Sequence, residues 1–177
     1  IKDWHDVEVT KFLIARKFDL KLASEMLENH LKWEKEHVTA GTLKEYFPEG
    51  MAQQYPVGLQ PNHYDYEGNL IRVERPTNGG KVLAKEFVSE FGLPRIMRWH
   101  IASVEACKER MRAEGWKTQR VCFIIDLKGL DGLTGDVAKF GQMEGKIDQD
   151  HYPEMMARAF IINAPWYFTG IWKIIKL

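Results

Sequence analysis

The chain has 177 residues, of which 45% are hydrophobic and 28% are charged, and its 25 basic residues balance its 25 acidic ones. This size supports one sizeable domain or a small helical domain that leads into a larger one. The zero net charge excludes a global field that would attract nucleic acid, and no apolar run approaches the roughly 20 residues of a membrane-spanning helix.

Residues 1–50 are predicted to be all-helical. Apolar side chains three and four positions apart, at Val9, Phe12 and Leu13, indicate a short first helix. Asp19 is the predicted N-cap of a second, longer helix, because its carboxylate can accept a bond from a free amide of the first turn. We interpret this part as an N-terminal helical domain.

Residues 51–177 alternate strand and helix patterns. The turn signal of Asp65 and Gly68, followed by an apolar strand, predicts a hairpin. Four elements are predicted after it: a helix from Pro94 to about Glu114, a strand buried on both faces from Val121 to Leu127, a helix from Leu133 to about Gln149, and a strand from about Arg158 to Ala164. The predicted fold class is α/β, with a small helical domain followed by a mixed, mostly parallel sheet covered by helices.

No catalytic or metal-binding arrangement stands out. The sequence lacks a G-x-S-x-G elbow, and His30 and His37, seven residues apart, make an incomplete metal site. Asp126 ends a buried strand, where α/β enzymes often place an acid, but we favour the interpretation that it caps the turn at Lys128 and Gly129. We predict no enzyme activity, no catalytic residue and no metal.

The cysteines indicate the cellular compartment, and the chain ends indicate whether the sequence is a fragment. Cys107 and Cys122 have no metal-ligand spacing and fall on a predicted helix and strand, which favours reduced core thiols and a cytoplasmic protein. The chain begins at Ile1 without an initiating Met, and it stops at Leu177 inside an apolar helical pattern. We expect it to be a fragment of a longer protein.

Two segments allow a functional and a structural interpretation. Arg16 and Lys17 form either a solvated helix end or a phosphate clamp, in which Arg supplies a planar fork and Lys a mobile charge. The apolar segment from Trp166 to Leu177 is either a core helix or a movable lid that enters a membrane interface.

Four motifs, in chain order, resemble those of CRAL-TRIO lipid-binding domains, and in particular the yeast-type phosphatidylinositol-transfer proteins. They are Phe12–Asp19, the D-x-x-G of Asp65–Gly68, the stretch Ile124–Leu130, and Tyr152-Pro153-Glu154 followed by Ile161–Pro165. The resemblance covers essentially the whole chain. It identifies residues 51–177 as a CRAL-TRIO domain that is truncated in or just after the gate helix.

The resemblance implies that one phospholipid lies in an apolar pocket, with a sheet as its floor and helices as its walls. Arg16, Lys17 and Glu154 match the positions that hold an inositol phosphate headgroup. The residues expected to line the pocket and gate are Val121, Phe123, Ile125, Trp166, Phe168, Ile171, Trp172 and Ile175. The implied ligand is phosphatidylinositol or a phosphoinositide, with no other cofactor, and the implied partner is a transiently contacted membrane surface.

The sequence departs from the pattern of these proteins at two points. A Thr and a Lys on the next strand, which also contact the headgroup, would lie beyond Leu177. Members that carry phosphatidylcholine have a Ser and a Thr where this chain has Val121 and Phe123, so the second ligand stays open. The alternative function is a non-transferring, lipid-sensing module of a larger signalling regulator, with lipid kinases or regulators of small GTPases as its protein partners.

Overall fold

The computed structural model describes residues 4–42, 57–75, 88–130 and 135–168. Two helices come first, α1 (Asp6–Ala15) and α2 (Leu20–His37). The Asp19 carboxylate accepts a hydrogen bond from the Leu22 amide at 3.0 Å, which confirms the predicted N-cap. Both helices turn apolar side chains inward, Phe12 from α1 and Met26 from α2.

The turn between α1 and α2 is tight. Lys17 and Phe18 both adopt left-handed backbone conformations, with φ of 51° and 64°. The Phe18 amide donates to the Leu13 carbonyl at 2.8 Å, which satisfies one of the free carbonyls at the end of α1. The turn therefore presents Lys17 and Phe18 to solvent.

The sheet has four strands in the order β1-β2-β3-β4. They are β1 (Val57–Tyr64), β2 (Leu70–Glu74), β3 (Val121–Asp126) and β4 (Met156–Ile162). β1 and β2 form an antiparallel hairpin, and β3 and β4 add in parallel, so the predicted mixed, mostly parallel sheet is confirmed. At the hairpin turn, Asp65 accepts bonds from the Glu67 and Asn69 amides, each at 2.9 Å.

Two long helices make the parallel crossovers, α3 (Leu93–Ala113) between β2 and β3, and α4 (Gly135–His151) between β3 and β4. Pro94 lies in the first turn of α3, as the sequence predicted. α3 covers one face of the sheet, where Cys107 and Met111 pack against Leu70 and Val121. Both cysteines are free and buried.

Strand β3 differs from the sequence prediction. Val121 and Cys122 are buried, but the residues from Phe123 to Asp126 are only half-buried, so β3 is not covered on both faces along its length. β4 is more exposed still, with Met156, Phe160 and Ile162 at 58%, 51% and 43% exposure. An apolar run in the sequence predicts a strand. It does not show which part of that strand is covered by other elements.

Candidate functional site

The motif Tyr152-Pro153-Glu154 connects α4 to β4 and is held from inside. Tyr152 is buried, and its hydroxyl donates to Oε1 of Glu105 on α3 at 2.8 Å. Burial raises the pKa of Tyr152 well above its usual range, so the hydroxyl keeps its proton and acts as a donor. Glu154 adopts a left-handed backbone conformation with φ of 56°, which is uncommon for a residue with a side chain. The buried Tyr152 therefore anchors the loop, and the loop directs the Glu154 carboxylate outward.

Glu154 forms an ion pair with Arg120, the residue just before β3. Nη2 of Arg120 lies 3.2 Å from Oε2 of Glu154, and both side chains are partly exposed. Lys11 of α1 lies beside them, and its ammonium donates to the Gln119 carbonyl at 2.5 Å and to Sδ of Met155 at 3.1 Å. One carboxylate and two cations therefore meet where β3 and β4 begin.

Arg16 and Lys17, the predicted headgroup cations, lie at the C-terminal end of α1. Arg16 is half-buried and Lys17 is exposed. Nη1 of Arg16 donates to the neighbouring Ala15 carbonyl at 3.3 Å. In the described ranges neither cation forms an ion pair with Glu154, and their role in headgroup binding stays a prediction.

The predicted pocket residues of β3 share one face of the sheet. Val121, Phe123 and Ile125 pair in parallel with Leu70, Arg72 and Glu74, so these side chains lie on the side of the sheet that α3 covers. Val121 is 1% exposed, and the Arg72 guanidinium lies 5.5 Å from the centre of the Phe123 ring. A role in lining a lipid pocket stays a prediction for all three.

The predicted gate is described only at its start. Trp166 is 88% exposed, whereas Phe168 is half-buried. Ile171, Trp172 and Ile175 lie outside the described residues. The segment therefore presents at least one large aromatic side chain to solvent immediately after the Asn-Ala-Pro sequence.

Asp126 caps a turn, as the favoured interpretation predicted. Its Oδ1 accepts from the Lys128 amide at 3.0 Å and from Nδ2 of Asn163 at 2.8 Å. These bonds lower the pKa of the Asp126 carboxyl, with the Asn163 bond as the larger cause. A carboxylate that stays ionised suits an acceptor and not a proton donor.

A cluster of buried charges on β2 and α3, which meets partly exposed carboxylates on α4, was missed at the level of sequence. His100 of α3 bonds Glu144 through Nδ1 at 2.8 Å and Asp148 through Nε2 at 2.7 Å. Nearby on β2, Nε of Arg72 lies 2.9 Å from Oε1 of Glu74. The signal was present in β2, whose alternate residues Arg72 and Glu74 face inward with Leu70, but a charged residue at an alternate position is normally assigned to the solvent face.

A cavity of about 30 Å³ lies between the N-terminal helices and the loop before β4. Its lining includes Lys11, His30, Lys108 and His151. That volume suits one or two water molecules and is far smaller than a phospholipid. His30 is 1% exposed and is a packing residue, whereas His37 is exposed and bonds the Trp33 carbonyl.

Among the described residues, no group of three or more His, Cys, Asp or Glu side chains is arranged to hold a metal ion. The helices described here also include none that is long and apolar enough to cross a bilayer.

These elements define an α/β protein. Two helices precede a mixed four-stranded sheet, and long crossover helices connect its parallel strands. The structure aligns with the crystal structure of Sfh5 with a TM-score of 0.76 over 99% of this chain and 62% of that one, at 16% identity, a likeness of fold. Residues 62–177 match the sequence model of the CRAL/TRIO domain, and the chain belongs to that family.

Curated relatives match nearly the whole chain. The SEC14 cytosolic factor of Yarrowia lipolytica is 33% identical over 97% of this chain and 36% of its own length. The SEC14 cytosolic factor of Candida glabrata is 30% identical over 97% and 58%. The phosphatidylinositol/phosphatidylcholine transfer protein SFH4 of Arabidopsis thaliana is 32% identical over 99% and 29%. The chain thus spans between 29% and 58% of the length of these relatives.

Proposed function

We propose that this chain is the lipid-binding part of a phospholipid carrier, which holds one molecule of phosphatidylinositol or a phosphoinositide and transfers or presents it between membranes. The observation that carries the proposal is membership of the CRAL/TRIO family, with relatives named for the transfer of such lipids. The ligand is the phospholipid itself, with no further cofactor and no catalysis. The protein acts in the cytoplasm and contacts membranes transiently.

The polar end of the site supports the headgroup assignment. Glu154 lies on a loop fixed by the buried Tyr152, and a carboxylate in that position can accept hydrogen bonds from inositol hydroxyls. Arg16 and Lys17 supply the positive charges that a phosphate diester requires. Two cations and one carboxylate suit a headgroup that combines a phosphate with a sugar-like ring.

The acyl chains of the lipid make a larger demand in free energy than the headgroup does. Each buried methylene contributes about 0.8 kcal/mol, so extraction of a lipid with two acyl chains costs on the order of 20 kcal/mol. Only a closed apolar cavity can offset such a cost. The exposed side chains of Phe160, Ile162 and Trp166 are part of the apolar surface that a lipid or a membrane interface could cover.

The test is native mass spectrometry of the chain after incubation with mixed liposomes. We expect a one-to-one adduct with the mass of a phosphoinositide, which disappears when Arg16→Ala and Lys17→Ala are combined. Both side chains lie at the surface or half-buried, so the double variant should keep its fold, as circular dichroism would verify. Unchanged loading of the double variant would remove Arg16 and Lys17 from the headgroup site.

The alternative is a lipid-sensing module that regulates a neighbouring domain and does not transfer lipid. The chain covers only part of its relatives' length, so further domains have room in such proteins. A bound lipid that does not move from donor to acceptor vesicles would favour this alternative.

A further inference from the structure

Arg120 lies at the polar edge of the site, and neither motif nor spacing pointed to it. Its contact with Glu154 is a single one, from Nη2 to Oε2 at 3.2 Å, and the two side chains are 45% and 30% exposed. An exposed ion pair of this kind contributes between zero and about 1 kcal/mol to stability. The guanidinium can therefore exchange the carboxylate for a better partner at little cost.

The backbone on both sides of this pair is firmly held. The Leu70 amide donates to the Arg120 carbonyl at 3.1 Å, and the Val121 amide donates to the Met155 carbonyl at 2.8 Å. Lys11 bonds the residues next to each member, Gln119 and Met155. The starts of β3 and β4 are thus fixed relative to each other, whereas the two side chains remain at the surface.

Cations and carboxylates lie close together at this edge. The pKa of the Lys11 ammonium is lowered to about 8, chiefly by burial and then by the charges of Arg120 and Lys108, while Glu8 and Glu154 act in the opposite direction. Arg120 therefore repels the Lys11 ammonium, and Glu154 attracts it. A bound anion beside Arg120 would relieve that repulsion.

We propose that Arg120 is a specificity-determining residue of the headgroup site. When the lipid binds, the Arg120 guanidinium separates from Glu154 and binds a phosphate on the inositol ring. This inference rests on the proposed function. The planar fork of Arg120 can bind two phosphate oxygens at once, and the released Glu154 carboxylate then accepts hydrogen bonds from ring hydroxyls. The chain consequently prefers a ring-phosphorylated phosphoinositide to phosphatidylinositol.

The experiment is a competition. The full chain is incubated with phosphatidylcholine vesicles that carry equal amounts of phosphatidylinositol and phosphatidylinositol 4-phosphate, and the bound lipids are counted by native mass spectrometry. The wild-type chain should load mainly the 4-phosphate. Arg120→Gln should lower the ratio of 4-phosphate to phosphatidylinositol about tenfold, the loss of one charge-assisted contact. Arg120→Lys should keep part of the preference.

The matched control is Arg158→Gln, because Arg158, on β4, is likewise a partly exposed arginine paired with a glutamate, Glu67. That variant should leave the lipid ratio unchanged. Soluble inositol 1,4-bisphosphate in excess should also leave it unchanged, because it lacks the acyl chains that hold the lipid; displacement of the lipid by this compound would overturn the assignment to a lipid headgroup.

The outcomes separate the two proposals. If both lipids load and Arg120→Gln leaves their ratio as in the wild type, the assignment of Arg120 is wrong and the proposed function stands. If the wild-type chain loads neither lipid, both are overturned. A tenfold change confined to Arg120→Gln supports Arg120 as the residue that selects the phosphate.

Discussion

Tyr152 shows how one hydroxyl holds a loop in place. It donates to Glu105, which also accepts from Lys108 at 3.3 Å, and the Lys108 ammonium lies 5.7 Å from the centre of the Tyr152 ring. All three side chains are buried. The loop that carries Glu154 is thus attached to α3 by a small network with a carboxylate at its centre.

Tyr152→Phe should lower the free energy of unfolding by about 1 to 2 kcal/mol, because Glu105 loses a donor that water cannot easily replace. Urea denaturation measures the change. Tyr66→Phe removes a hydroxyl from a side chain that is 89% exposed and should have almost no effect. Equal losses in the two variants would show that burial of the Tyr152 hydroxyl is unimportant.

At the same scale, the sequence predicted single residues better than pairs. The cap at Asp19 and the turn at Asp126 follow from local chemistry, because their partners lie two or three residues away. Arg120 and Glu154 are 34 residues apart and meet only because β3 and β4 are neighbours in the sheet. No spacing rule reports such a pair.

Among the helices, α3 and α4 are joined by charge. His100 of α3 lies between Glu144 and Asp148, one turn apart on α4, and is 3% exposed. The two carboxylates raise the pKa of His100 to about 10, although burial alone would lower it. The imidazole is therefore a cation at neutral pH and bonds both carboxylates of α4.

The contribution of His100 to stability has a definite pH window. Because the folded pKa of about 10 exceeds the ordinary value of 6.5, the stabilisation is complete below pH 6.5 and is lost as the pH rises through 10. His100→Gln should lower the free energy of unfolding by about 1.5 to 3 kcal/mol at pH 6, since two partly exposed carboxylates lose a charged hydrogen-bond partner. The difference from wild type should shrink as the pH approaches 10 in denaturation series. A difference independent of pH would contradict a charged His100.

The elements themselves were largely predictable, and their environment was not. Pro94 located the start of α3, and the Asp65 turn located the hairpin, because both residues restrict the backbone locally. The burial of β3 was predicted wrongly because covering layers depend on contacts between distant elements. The charged inward face of β2 was missed for the same reason.

Across the whole molecule, α2 packs against the end of α4 through aromatic rings. The ring centres of Trp33 and His151 are 4.0 Å apart and nearly parallel, and the buried His30 ring lies 5.7 Å from His151. Burial is the main cause that lowers the pKa of His151 to about 4, and the charge of His30 is the next. The N-terminal helices thus meet the rest of the chain through an imidazole that is neutral at physiological pH.

This interface should weaken in acid. The folded pKa of His151 lies below 6.5, so its contribution is present above pH 6.5 and is lost as the pH falls through 4. His151→Phe keeps a ring against Trp33 but cannot take up a proton. We expect its unfolding midpoint to fall less steeply than that of the wild type between pH 6.5 and 4, in thermal melts. Of the charged groups around His151, Asp150 raises its pKa, whereas Lys146 and His37 lower it together with His30. If the unfolding midpoints of the two proteins fell equally steeply between pH 6.5 and 4, groups other than His151 would cause the loss of stability.

The two bonds of Lys11 also bear on the order in which the chain can fold. Its ammonium is satisfied by Gln119 and Met155, which lie 108 and 144 residues further along the chain. A ribosome adds about 5 to 20 residues per second, so α1 emerges many seconds before its buried lysine can find either partner. Until then Lys11 stays hydrated, although Glu8 of α1 can already pair with Lys108 and Arg112 of α3. The contacts of α1 are therefore completed only after Gln119 and Met155, at the starts of β3 and β4, have been synthesised.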